Sequence, residues 1–148
     1  MPKKKNKQEQ EEDIFVFVYG TLKRGGSNHR YLDVKGSEFI EETTIRQGTF
    51  KLLNINNQYP ALVFDKDGPE IHGELYKVTR LVLNTINILE GYNDTRENNL
   101  FDLHSYFISE GKKAFIYIAG NRLLNVINQS PKGSFPEIPS GNWEIQKQ

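Results

Sequence analysis

The amino-acid sequence predicts an α+β domain built on a strongly curved or closed sheet. Three observations carry that expectation. Short runs of β-branched and aromatic residues recur along the chain between Gly, Asn and Asp turn signals. One segment alone has both the start and the stop signal of a helix. No strand alternates with long helices as a parallel βαβ stack requires. At 148 residues, 36% of them apolar, the chain is long enough to bury one core and short for two.

Taken in order, residues 1–13, MPKKKNKQEQEED, hold a block of Lys and then a block of acids with no periodic apolar residue, the pattern of a disordered charged tail. Residues 14–148 are expected to form a single domain. Every residue from 14 to 18 is apolar and β-branched or aromatic, which predicts a strand covered on both faces and central to its sheet. A short helical turn is expected within 28–33, then strands over 37–44 and 46–53, the second broken by Gly48. Tyr59 to Val63 follow an Asn-rich turn, with Pro60 at the strand entry. Asp67-Gly68 reads as a hairpin signal before a strand over 70–78.

Thr79 suits a helix N-cap, because its hydroxyl can accept from unpaired amides, and Gly91 suits the left-handed residue that ends a helix over 81–90. Strands over 100–109 and 112–119 flank Glu110-Gly111 as a second hairpin. A short helix over 122–128 precedes a Pro- and Gly-rich end, SPKGSFPEIPSGNW, that Trp143 is expected to pin.

Charge narrows the partners. Lys plus Arg is 19 and Asp plus Glu is 19, a net charge of +0, so no overall field favours nucleic acid or a membrane surface. Lys3, Lys4 and Lys5 are offset by the acids that follow. The absence of cysteine excludes disulfides and thiolate catalysis. No apolar run approaches the length that crosses a bilayer, and the N-terminus lacks a signal-peptide stretch, so a cytoplasmic location is expected.

Two features suggest chemistry. Gly20 ends the first strand, where glycine lets the backbone turn sharply and lets successive amides form a nest for an anion. Residues 20–27, GTLKRGGS, nearly match a nucleotide phosphate loop. Position 26, however, is Gly where that loop needs Lys, and no long helix follows. An ordinary glycine-rich connection fits the same spacing.

The second feature is Glu90, which falls with Leu83 and Ile86 at helical spacing, on the stripe that should be buried. Desolvation and the helix C-terminus would both raise its pKa toward that of a general base. Fraying outward beside Gly91 is the structural alternative. Glu74 is another acid that is either buried or facing solvent. His29, His72 and His104 lack metal-ligand spacing, and no Gly-x-Ser-x-Gly nucleophile motif is present.

Together, FVYGTLKRG with Asn28-His29, Tyr59-Pro60-Ala61-Leu62-Val63, Gly73-Glu74-Leu75-Tyr76, Leu89-Glu90-Gly91-Tyr92, Phe115-Ile116-Tyr117 and Ser140-Gly141-Asn142-Trp143 resemble the γ-glutamylcyclotransferase-like family, in particular its γ-glutamylamine cyclotransferase and AIG2-like branch. The resemblance implies a small mixed β-barrel with flanking helices and a cavity at one end. It implies conversion of a γ-glutamyl amine or amino acid to 5-oxoproline and a free amine, without a cofactor or metal. Tyr19, Gly20, Thr21 and Leu22 would cradle the substrate and Glu90 would be the catalytic acid-base. Tyr59 and Tyr117 would supply walls and polar edges, or else serve as core tyrosines with satisfied hydroxyls.

Relatives often continue with Tyr-x-Arg where this chain has Phe101-Asp102-Leu103, a departure that bears on substrate identity. The partner expected is a small γ-glutamyl molecule, and the oligomeric state is not legible. Two other readings stay open. One is a non-enzymatic module that binds a small carboxylate on the same fold; the other is a phosphate ligand held at residues 20–27.

Overall fold

The computed structural model describes residues 13–145. Of the charged tail, all but Asp13 lies outside the described residues. The strands are β1 (Ile14–Val18), β2 (Ser37–Ile45), β3 (Phe50–Ile55), β4 (Tyr59–Phe64), β5 (Ile71–Val78), β6 (Phe101–Phe107) and β7 (Lys113–Ala119). The helices are α1 (Arg80–Leu89) and α2 (Asn121–Gln129); of two 3₁₀ turns, His29–Tyr31 and Ser109–Gly111, the first falls inside the short helical turn expected there.

Five strands form one sheet in the order β2-β5-β1-β7-β6, and β3 pairs with β4 in a second. β1 is central as its unbroken apolar run predicts, antiparallel to β5 and parallel to β7. The domain is thus mixed α+β with two helices. No ladder joins the two sheets, and no closed barrel is found among the described strands.

Alternation along β1 divides the interior. Ile14, Val16 and Val18 face a cluster that includes Val82, Leu83 and Ile86 of α1 and Leu123 of α2. Phe17 and Tyr19 face a second cluster with Leu75, Ile116 and Ile118, completed by Phe50, Leu52 and Leu62 of the β3-β4 hairpin. Each fully buried Leu, Ile or Phe here contributes about 1.5–3 kcal/mol.

The Thr79 hydroxyl accepts from the Val82 amide at 3.2 Å, the N-cap its sequence suggests, and Gly91 turns the chain out of the helix at φ +70°. The β3-β4 turn is built on Asn56 and Asn57, both left-handed, as the Asn-rich stretch requires.

Three expectations need correction. The stretch 46–53 is a strand only from Phe50, because the segment before it turns at Gly48, whose amide donates to the Gly68 carbonyl at 2.9 Å. Asp67-Gly68 makes a turn but no hairpin, since β4 pairs with β3 while β5 pairs with β1 and β2. The turn instead carries the chain from one sheet to the other. The C-terminal segment is pinned mainly by backbone. Asn54 N donates to Pro136 O, Ile138 N to Leu52 O and His72 N to Gly141 O, at 2.8–2.9 Å, while Trp143, half-buried, packs against the second cluster and adds to this hold.

Candidate active site

β1 delivers the chain to a pocket of about 160 Å³ at one end of the sheet. All seven residues singled out in the sequence line it: Tyr19, Gly20, Thr21, Leu22, Tyr59, Glu90 and Tyr117. Distant segments meet there because β1 lies between β5 and β7, while α1 ends beside the same sheet end.

The loop after β1 is tightly determined. Gly20 abuts β4 so closely that a Cβ would stand 2.7 Å from the Pro60 ring. The Lys23 amide donates to the Gly20 carbonyl at 3.0 Å and closes the turn. Asn28 braces Thr21 twice, amide to carbonyl and Nδ2 to Oγ1, both at 2.9 Å.

Gly26 packs directly under the Thr21 carbonyl, where any Cβ would overlap backbone. Gly26 is therefore a condition of the loop's shape. The Thr21 and Leu22 amides donate to no acceptor among the described residues. The segment that follows is a single 3₁₀ turn, so the phosphate-loop arrangement of nest plus helix N-terminus is not formed.

Glu90 caps α1 from its C-terminal end, its own amide donating to Ile86 O at 2.9 Å. Glu90 lines the pocket and is only partly exposed, so it does not fray outward into solvent. Burial pushes its pKa from 4.5 up to about 7. No hydrogen-bond donor or cation pairs with it among the described residues, so nothing opposes that rise.

The tyrosines surround this acid. Burial raises the pKa of Tyr19, Tyr59 and Tyr117, and in each the Glu90 charge raises it further. Tyr19 donates to the Tyr117 carbonyl at 2.6 Å, and Tyr117 donates to Asn87 Oδ1 at 2.6 Å. Both hydroxyl protons are thus engaged in the protein. Tyr59 stands edge-on to Phe101, ring centroids 5.9 Å apart, and together they make an aromatic wall.

Phe101 therefore sits in the pocket where the Tyr-x-Arg pattern would start. Asp102 instead accepts from Asn99 Nδ2, and Leu103 packs against the helical-side core. Glu74 is buried and structural: it accepts from the Arg24 amide at 3.0 Å and from the Tyr76 hydroxyl at 2.9 Å. His29 braces the loop through Nδ1 and the Leu22 carbonyl at 2.9 Å, whereas His72 and His104 lie outside the pocket. Among the described residues, no group of three or more His, Cys, Asp or Glu side chains is placed to hold a metal.

The sequence did not mark Asn87, Pro60 or Lys23 as residues that shape the site. Asn87 had a findable signal, since it lies three residues before Glu90 on the same helix. The other two act through contacts that only the tertiary structure creates.

Fold and pocket define a small α+β protein whose pocket is lined by an unpaired carboxyl, Glu90, and by a loop carrying two unpaired amides. The chain belongs to the family described as gamma-glutamyl cyclotransferase, AIG2-like, whose model matches residues 16–145. The gamma-L-glutamyl-butirosin B gamma-glutamyl cyclotransferase of Niallia circulans is 37% identical over 90 residues, 59% of this chain and 53% of its own length. A Halalkalibacterium halodurans protein provisionally named a gamma-glutamylcyclotransferase is 32% identical over 87 residues, 57% of this chain and 69% of its own. A mouse AIG2-like protein superposes with TM-score 0.65 over 93% of this chain and 98% of its own, and at 20% identity it shows the shared fold.

Proposed function

We propose that the chain is a cyclotransferase converting a γ-glutamyl amine or γ-glutamyl amino acid to 5-oxoproline and a free amine. The observation that carries this reading is Glu90, desolvated and unpaired, in one pocket with the unpaired amides of Thr21 and Leu22. Membership of the family supports it. In this reading the five-stranded sheet and the β3-β4 hairpin act as the walls of a small barrel, and residues 14–148 work as one unit.

The reaction needs no outside reactant. The substrate's α-ammonium has no lone pair, so Glu90 takes one proton and frees the nitrogen to attack its own γ-carbonyl carbon. The new C–N bond closes a five-membered ring and the carbonyl oxygen becomes an oxyanion. Glu90 then passes its proton to the departing nitrogen and takes the second proton from the ring nitrogen. The old C–N bond breaks as the carbonyl re-forms, and Glu90 hands that second proton to the released amine, returning to its starting carboxylate. Two protons have moved from one nitrogen to the other, leaving a neutral lactam and an ammonium product.

The Thr21 and Leu22 amides supply donors for the substrate carboxylate or the oxyanion, in a pocket where water competes weakly. Tyr59 and Phe101 form an apolar wall beside them. The test is release of 5-oxoproline from a panel of γ-glutamyl amines, γ-glutamyl amino acids and glutathione. At least one substrate should turn over, and Glu90→Gln should lower kcat/KM by about 10²–10⁴-fold. Saturable binding of unchanged ligand across the whole panel would favour a binding module instead.

A further inference from the structure

We propose that Lys23 is a positioning residue, its buried ammonium fastening the loop of residues 20–23 to the C-terminal segment so that the Thr21 and Leu22 amides keep one geometry. Lysine is seldom buried unless paired, yet Lys23 is only 8% exposed. Its ammonium donates to Trp143 O at 2.7 Å and to Asn142 Oδ1 at 3.1 Å, both neutral acceptors. No carboxylate forms an ion pair with it among the described residues. Burial works against the charged form, which the more distant Glu74, Glu42 and Glu144 support.

A charge held this way is weak as a stabiliser, since an apolar side chain of similar length would fill the space without the desolvation cost. Its value lies in direction. The Lys23 amide closes the turn on Gly20, and its side chain reaches a segment 119–120 residues further along the chain. That segment is itself anchored to β3 through Pro136 and Ile138 and to β5 through Gly141. On the other side of the turn, Arg24 N holds the Glu74 carboxylate. With Gly20 set against Pro60, the two amides sit between fixed points.

The placement of Lys23 stands on these contacts alone, and its consequence for catalysis rests on the cyclotransferase reading. The experiment uses the full chain with Lys23→Met, Lys23→Arg, Asn142→Ala and the Lys23→Met/Asn142→Ala double variant. Amide hydrogen exchange is read at Gly26 and Asn28 in the loop and across β5. Lys23→Met should speed exchange at the loop amides by about tenfold or more and leave β5 unchanged.

The same variant should lower kcat/KM for 5-oxoproline release by about 10–100-fold. Lys23→Arg should recover part of that loss. Asn142→Ala should shift the loop in the same direction, and the double variant should be less impaired than the two single losses combined. Unchanged loop exchange, or equal acceleration in loop and β5, would overturn the assignment. Should Lys23→Met fail to fold, Asn142→Ala gives the same readout by removing one acceptor. A wild-type chain that releases no 5-oxoproline from any substrate sinks the cyclotransferase reading, while the exchange data still decide whether Lys23 holds the loop.

Discussion

Replacing Glu90 with Gln should make the protein more stable, and by an amount that depends on pH. In the folded chain burial raises the Glu90 pKa to about 7, against 4.5 when the side chain is free in water. Between those values the folded state holds a proton that the unfolded state has lost. Stability therefore falls as pH rises through this window, and the whole penalty is present above about pH 7. A difference of about 2.5 at 1.36 kcal/mol per pKa unit gives a ceiling of about 3 kcal/mol, lowered to the extent that pocket water reaches the carboxylate.

Gln has nearly the same shape and no charge at any pH, so it escapes the penalty. The assay is thermal unfolding of wild type and Glu90→Gln at matched ionic strength. Near pH 4.5 the melting temperatures should nearly coincide. By about pH 8 the variant should melt higher by up to roughly 6–12 °C, at about 2–4 °C per kcal/mol for a chain of this size. A gap that does not change with pH, or a variant that melts lower at about pH 8, would refute the claim that Glu90 is held desolvated without a partner.

In the proposed mechanism the same carboxyl governs rate. A general base works ionised, so kcat/KM should rise with pH through about 7 and level above it, as read from initial rates of 5-oxoproline release. Gly26→Ala forces a methyl into the Thr21 carbonyl and should destabilise by about 1–3 kcal/mol in denaturant titration, with activity falling further than stability explains. Tyr117→Phe removes the hydrogen bond to Asn87 while keeping the ring, and should lower unfolding free energy by about 0.5–1.5 kcal/mol.

Much of this was legible in the sequence because the signals were local. An unbroken β-branched run predicts a central strand, and Thr79 and Gly91 bracket a helix by the groups its ends leave unpaired. Glu90 emerged as an acid on an apolar stripe. The illegible parts are long-range. Asp67-Gly68 carries the chemistry of a chain reversal, but reversal says nothing about which strand the next one joins, and β5 finds β1 and β2 instead of β4. Barrel closure is likewise a property of pairings between distant strands. Nothing marks Lys23 within the glycine-rich stretch GTLKRGGS, because its acceptors lie at the far end of the chain.

The two groups of the candidate mechanism follow from opposite uses of burial. At Glu90 the protein desolvates a charge and gives it no partner, which raises its affinity for a proton. At Lys23 it desolvates a charge and gives it two neutral acceptors, which spends stability on direction. In the proposed mechanism the first arrangement sets the proton affinity of the base, and the second fixes the geometry of the Thr21 and Leu22 donors in the same pocket. Neutralising Glu90 should therefore raise stability and cut turnover by about 10²–10⁴-fold, whereas Lys23→Met should loosen one loop and slow turnover with the rest of the fold intact. Two variants that both lose activity but differ in the pH dependence of melting and in their exchange maps would separate proton transfer from substrate alignment in this pocket.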